Sequence, residues 1–194
     1  LRLFGDDQPF DNVVYHVPPQ QQVLTIWSVG EDTGDDPAQA RYYLQRALAE
    51  SPLRRVEIVG GDAGEFNNGQ DVALAVLTTV PSPESLEKLK DHLAAGGTVL
   101  FALPNESAVA AVAELVGSGT IPAEESSPDG YAMLENIRFD HPWFASFSEA
   151  RFSDFTKIHF WKHRRIDETA LPQAEVLARF DDGAPALLEM PVGT

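Results

Sequence analysis

Residues 71–117 decide the fold class of this chain, and they read DVALAVLTTV, PSPESLEKLKDHLAAGG, TVLFALP and NESAVAAVAELVG in succession. The first and third pieces are short, nearly continuous apolar runs, which are typical of strands buried on both faces of a parallel sheet. The second piece has Ser82 followed by proline, and the fourth opens on Asn105; both are residue types that begin helices. The stretch therefore predicts strand, helix, strand and helix, the repeating unit of an α/β fold.

Two more strands are predicted upstream, at Val23–Gly30 and Leu53–Gly61. Asp36 followed by proline predicts the start of a crossover helix between them. The apolar residues of this helix recur at helical spacing and predict one buried face, formed by Ala40, Tyr43, Leu44, Ala47 and Leu48. The next connection, residues 62–70, is short for a parallel crossover, which favours placing strand three on the other side of strand one. The predicted strand order is 2-1-3-4, with a topological switch point between strands one and three.

The rest of the chain departs from this alternation. Residues 1–22 predict an N-terminal edge strand or a linker, and residues 23–194 predict a single α/β domain. Within that domain, residues 118–166 predict an irregular, aromatic-rich segment that lies on the core. The chain then predicts a C-terminal β-hairpin that turns at Asp181, Asp182 and Gly183.

Composition narrows the classes of function. The chain has 194 residues and a formal net charge of −16, which repels phosphate backbones and anionic membranes. Nucleic acid is therefore not an expected partner, and the isolated domain is not expected to insert into a membrane. The absence of cysteine excludes disulfides, thiolate metal sites and a cysteine nucleophile. No apolar run approaches the roughly 20 residues of a membrane span. The abrupt ends of the sequence predict a domain excised from a larger protein.

The loop after strand one is the first candidate ligand site. It follows a strand beside the switch point, where open α/β sheets bind ligands. Its carboxylates, which include Asp32 and Asp35, are oxygen ligands that suit a divalent cation. The alternative is a solvated loop that ends in a helix cap. No cofactor is predicted, and the chain has no glycine-rich phosphate-binding fingerprint.

The loop after strand four is the second candidate. An α/β enzyme can carry a nucleophile on such a turn, but Ser107 lacks the G-x-S-x-G pattern that exposes a catalytic serine. Asn105 is not a nucleophile. It is either a ligand-binding residue or the cap of the following helix.

His159 and His163 form the third candidate. Their spacing suits zinc if the segment is helical. The alternating polarity favours a strand instead, with Trp161 on the same face as both histidines. The neighbouring basic residues then belong to a solvated strand that pairs with acidic side chains; they are Lys162, Arg164 and Arg165. The surrounding aromatic residues either form the core of the segment or line a ligand pocket, and a sugar site requires Trp143 or Trp161 to be exposed in a cleft rather than buried.

Several stretches together resemble the class I glutamine amidotransferase-like (flavodoxin-like) domains, a three-layer sandwich. More narrowly, the chain resembles the domain of that type in membrane-anchored bacterial proteins of the aerotolerance-regulator, BatA-like kind. The stretches closest to that family are FDNVVY (10–15), HPWFASFSEARFSDFTKIHFWKHRRI (141–166) and FDDGAPALLEMPVG (180–193). The resemblance covers most of the chain and implies an extracytoplasmic, periplasmic location as part of a larger membrane protein.

The resemblance also bears on activity. Amidotransferases of this class use a cysteine on the turn after a central strand, with a His and a Glu late in the chain. Here that turn is LPNES (103–107), and no H-x-E pair follows. The resemblance therefore implies a non-catalytic binding or scaffold domain, whose partners are other domains of the same chain or envelope proteins. The alternative is a metal-dependent hydrolase or a small-ligand (sugar) binding domain that uses the loop after strand one.

Overall fold

The computed structural model describes residues 20–30, 32–48, 50–61, 72–149 and 151–193. Nearly all of the predicted edge strand or linker at 1–22 lies outside these ranges. The predicted sheet is present, with four parallel strands that are β1 (Gln22–Val29), β2 (Arg54–Gly61), β3 (Val72–Leu77) and β4 (Thr98–Phe101). Their order is β2-β1-β3-β4, which confirms both the α/β class and the predicted strand order.

Strand β1 is central because it is hydrogen-bonded on both edges. Trp27 lies opposite Val59 of β2 and opposite Ala75 of β3. A strand paired on both sides and covered on both faces favours apolar side chains, and the second half of β1 is buried throughout and apolar except for Ser28. The apolar run that predicted this strand therefore has a direct structural cause.

Helix α2 (Pro83–Ala94) begins and packs as predicted. The Ser82 hydroxyl accepts a hydrogen bond from the backbone N–H of Ser85 at 3.3 Å, and proline occupies the first turn. Leu86 and Leu89 are buried against the sheet face that carries Trp27.

Helix α1 (Ala40–Ala47) differs from its prediction in two ways. It begins at Ala40 rather than after Asp36, because the Asp36 carboxylate accepts a hydrogen bond from the N–H of Ala38 and caps a turn. None of its residues is buried, and Tyr43 is 59% exposed. The predicted apolar face of α1 is therefore only partly covered.

Helix α3 (Glu106–Leu115) is apolar on more than one side, as expected of a buried helix. Ala111 and Leu115 belong to the core beneath the parallel sheet. Val109 and Ala113 belong to a second core. Helical spacing predicted that Val109, Val112, Leu115 and Val116 face the sheet. Leu115 does so, whereas the three valines pack in the second core, which corrects that prediction.

The second core lies under the C-terminal half of the chain. Strands β5 (Ala123–Ser126) and β7 (His163–Ile166) pair antiparallel. The predicted hairpin is confirmed, and a third strand joins it: the sheet consists of β6 (Leu134–Ile137), β8 (Glu175–Phe180) and β9 (Pro185–Glu189). A single helical turn, α4 (Pro142–Ala145), and a 3₁₀ turn at Glu168–Ala170 complete this half.

The segment 118–166 is thus less irregular than predicted, since it supplies β5, β6, α4 and β7. Its strands were hard to recognise because each has only four residues. In the described part of the chain, no helix combines the length and apolarity needed to cross a membrane.

The packing of β3 gives the first testable prediction. Leu77 has no exposed surface, so Leu77→Ala leaves a cavity and is expected to lower the free energy of unfolding by about 3 kcal/mol. Leu53→Ala, at a side chain that is 55% exposed, is the control and should cost less than about 0.5 kcal/mol. Urea denaturation measures both, and equal costs would contradict the core described here.

Candidate functional site

Thr78 lies at the switch point between β1 and β3 and is hydrogen-bonded to the end of β1. The backbone N–H of Thr78 donates to the carbonyl of Val29 at 3.2 Å, and its hydroxyl lies 3.4 Å from the same oxygen. Gly30 has a φ of +147°, and a Cβ there would lie 2.5 Å from the Thr78 hydroxyl. Gly30 and Thr78 therefore occupy the position where an open α/β sheet would admit a ligand.

The acidic loop beyond Gly30 does not assemble a metal site from its described residues. Asp35 is exposed to solvent. Asp32 is half-buried, and its Oδ2 atom is buried without a hydrogen-bond partner. Among the described residues, which leave out Glu31, no group of three or more His, Asp or Glu side chains is placed to hold a metal ion.

Arg41 is a cation near this end of the sheet that the sequence analysis did not single out. Its guanidinium donates to the carbonyl of Ile58 at 3.4 Å. Its Nη1 atom fills the space that a side chain at residue 60 would need, because a Cβ on Gly60 would lie 1.8 Å from it. Arg41 therefore holds α1 against β2. The sequence signal for this contact is Gly60, a glycine inside a strand, which often marks a close approach of another group.

Asn105 acts as a helix cap in the structure. Its side-chain oxygen accepts a hydrogen bond from the backbone N–H of Ala108 at 2.9 Å, at the start of α3. The capping interpretation is confirmed, and this contact occupies the amide oxygen that a ligand would need. The same turn is tied to β7, because Arg164 donates to the carbonyl of Pro104 at 3.0 Å.

The structure does not bring His159 and His163 to one face. Residues 159–162 form neither a helix nor a continuous strand, and Phe160 makes only an isolated bridge. Neither predicted geometry of the two histidines therefore forms. His159 is exposed, whereas the His163 side chain is only 2% exposed. The two rings have different neighbours, and a zinc site made from this pair is not formed.

His163, which is buried, belongs instead to a polar cluster with the more exposed Asp182 and Arg165. The Nε2 atom of His163 lies 3.1 Å from Oδ2 of Asp182, and a guanidinium nitrogen of Arg165 lies 2.6 Å from the same oxygen. Asp182 also accepts the backbone N–H of Ala184 through its other oxygen at 2.9 Å. The cluster fixes the β8–β9 turn to β7, so its role in this arrangement is structural.

Charge and burial act in opposite directions on Asp182. Burial raises the pKa of the Asp182 carboxyl, but the hydrogen bonds from Ala184 and Arg165 and the nearby His163 lower it, and the net result is a lowered pKa. The carboxylate form is therefore favoured by the folded state.

The basic residues beside the histidines pair with strand β5, as the solvated-strand interpretation predicted. Lys162 lies 2.8 Å from Glu125, and Arg164 lies 3.6 Å from the same carboxylate. Arg165 lies 3.7 Å from Glu124. The hydrogen bond from Lys162 lowers the pKa of Glu125. These positive charges are compensated locally and do not form a free anion-binding patch.

Three exposed rings form the remaining candidate site, which we call the ring cluster: Tyr131, His159 and Trp161. Tyr131 and His159 are stacked, with centroids 3.8 Å apart and an interplanar angle of 15°. Trp161 meets both rings edge to face, 5.7 Å from Tyr131 and 6.2 Å from His159. The sequence analysis identified His159 and Trp161 but missed Tyr131, which lies far from them along the chain.

Comparison with protein-family models, with curated proteins and with solved structures found no match to this chain. The resemblance to amidotransferase-like domains therefore remains a prediction.

The Asp182 cluster predicts a pH dependence of stability. Because the folded-state pKa of Asp182 is lowered, its contribution is fully present above the unfolded-state pKa of about 3.9 and is lost as pH falls through the folded value. We expect Asp182→Asn to lower the free energy of unfolding by about 1 kcal/mol at pH 7 and by clearly less near pH 3. Chemical denaturation at the two pH values measures the difference.

Asp181→Asn is the matched control for that measurement, since it removes the neighbouring carboxylate of the same turn. We expect little change from it at either pH. A cost of Asp182→Asn that is the same at pH 7 and pH 3 would contradict the linkage.

Proposed function

We propose that this chain is a non-catalytic binding or scaffold domain built on an amidotransferase-like α/β fold. The observation that carries the proposal is the turn after β4, where a nucleophile of that fold would stand. Asn105 caps α3 there, and Arg164 occupies the carbonyl of Pro104. The Asn105 side chain and the Pro104 carbonyl therefore serve the fold, and the chain contains no cysteine.

The contacts at the switch point support the same proposal. Thr78 lies beside Gly30, and its hydroxyl and backbone N–H are both engaged with the Val29 carbonyl, so these groups serve the fold. The domain would then act through its outer surface. Following the resemblance, we assign it to a membrane-anchored bacterial envelope protein, with the domain on the periplasmic side and other domains of the chain or envelope proteins as partners.

A glutaminase assay tests the absence of catalysis. The purified domain is incubated with L-glutamine, and ammonia release is measured by a coupled dehydrogenase. We expect release equal to the protein-free blank for the unmodified domain and for Ser107→Ala. Release above the blank that disappears in Ser107→Ala would overturn the proposal, because it would show a serine nucleophile on this turn.

Two variants of Asn105 control for the structural role of the turn. Asn105→Ala removes the cap and is expected to lower the free energy of unfolding by about 1 kcal/mol, whereas Asn105→Ser retains a capping oxygen and should be close to neutral. Neither variant should change the assay. Activity that depends on Asn105 without a stability effect would also contradict the proposal.

Binding of a small ligand such as a sugar is a second candidate function, and the exposure of two tryptophans favours it. Trp143 is 46% exposed and Trp161 is 63% exposed, whereas Trp27 is 3% exposed. A sugar site in the aromatic segment requires such exposed rings, which can stack on the apolar face of a ligand.

Fluorescence of the tryptophans tests this second candidate. Titration with a neutral soluble oligosaccharide should change the emission of the unmodified domain if the sugar stacks on Trp143 or Trp161. The change should be lost in Trp143→Ala or in Trp161→Ala. An emission that stays constant up to millimolar oligosaccharide would remove this candidate.

A further inference from the structure

The ring cluster is built on a rigid backbone bridge. Ala132 and Phe160 exchange two hydrogen bonds, of 2.8 Å and 2.9 Å, and so form an isolated antiparallel bridge. Ala132 is 1% exposed, and Phe160 packs on Phe180 with a centroid distance of 5.1 Å. Because side chains alternate along extended backbone, the residues on either side of these two point outward. Tyr131 and Trp161 therefore share the outer face.

The exposure of these rings requires an explanation. Tyr131 is 42% exposed and Trp161 is 63% exposed, although both rings are held in fixed mutual geometry. Scattered apolar side chains on a surface are ordinary, but a preorganised group of large rings marks a recognition site. Trp and Tyr are also the side chains most enriched at the energetic centres of interfaces.

The negative net charge of the chain favours a cationic partner. With a net charge of −16, two copies repel each other, so a second copy of this chain is an unfavourable occupant. The lysine next to Trp161 is neutralised by its ion pair with Glu125 at 2.8 Å. Asp129 lies exposed two residues before Tyr131. The charged residues next to Trp161 and Tyr131 in the sequence are therefore a compensated lysine and an exposed carboxylate.

Two aromatic rings elsewhere in this chain contact an arginine side chain of the same chain. The Arg46 guanidinium lies 3.3 Å from the centroid of the Tyr42 ring, and that of Arg151 lies 4.5 Å from the centroid of Phe152. The attraction of a cation to a ring face is strongest for Trp and substantial for Tyr. The ring cluster thus combines the preferred ring types with an overall acidic surface.

We propose that the ring cluster docks a basic segment of a partner protein, whose arginine or lysine side chains stack on Trp161 and Tyr131. This inference rests on the proposed function, because it names the partner chemistry of the binding domain. Long-range attraction to the acidic surface brings the segment to the domain, and the rings provide the specific contact.

The test uses a fluorescein-labelled peptide of six Gly-Arg repeats and a matched peptide in which citrulline replaces arginine. Fluorescence polarisation measures their dissociation constants. We expect the arginine peptide to bind, the neutral citrulline peptide to bind at least tenfold more weakly, and Trp161→Ala and Tyr131→Ala each to weaken binding of the arginine peptide about tenfold. Trp161→Phe should retain most of the affinity, because it keeps a ring face.

Tyr43→Ala is the matched control, since it removes another exposed aromatic ring, on α1, and should change the affinity less than twofold. Circular dichroism checks that each variant is folded. Equal binding by Trp161→Ala and the unmodified domain would overturn the inference, because only non-specific attraction to the acidic surface would remain. Equal binding of the citrulline peptide, competition by a neutral oligosaccharide, or no binding at millimolar peptide would overturn it as well.

These outcomes are independent of the assay for the proposed function. Loss of the ring-cluster effect leaves the glutaminase result unchanged, so a non-catalytic domain with a different partner would be distinguished from an enzyme.

Discussion

The packing of helix α3 between two hydrophobic cores is the contact on which the rest of the structure depends. Leu115 and Ala111 contact the core of the parallel sheet, while Val109 and Ala113 contact the core beneath β5 and β7. A helix fixed on two sides has little freedom to shift or rotate, because protein interiors are closely packed. The turn that precedes α3 is therefore fixed as well, and with it Asn105.

The same arrangement accounts for the roles of the polar groups on the turn after β4. The turn after β4 is held from one side by the cap on α3 and from the other by Arg164 of β7. At the switch point, Thr78 is hydrogen-bonded to the Val29 carbonyl. Asn105, Arg164 and Thr78 thus stabilise the fold at the carboxyl end of the sheet, whereas the aromatic segment carries exposed rings.

The regular half of the fold could be predicted because its signals are local. Apolar runs define the strands, Ser82 and Asn105 cap the helices that follow them, and the short polar connection before β3 indicated the strand order. The turn at Asp182 could be predicted for the same reason, because its sequence signal is also local. The exposed face of α1 was not predicted, because helical periodicity shows which side is apolar but not how much of it is covered.

The C-terminal half and the ring cluster depend on pairings between distant residues. Strands β5 and β7 meet across a long stretch of chain, and so do Ala132 and Phe160, whose bridge brings Tyr131 to His159 and Trp161. No local pattern encodes such contacts. For the same reason, the spacing of His159 and His163 suggested a shared face, whereas the strand begins only at His163.

We propose that this domain binds its partner through the ring cluster and not through the carboxyl end of the sheet. Heteronuclear NMR of the ¹⁵N-labelled domain during titration with the arginine peptide distinguishes the two surfaces. Binding through the ring cluster should move the indole N–H signal of Trp161, while that of buried Trp27 and the backbone amides of Asp32 and Asn105 stay in place. Movement of the Asp32 and Asn105 signals without movement of the Trp161 indole would contradict it.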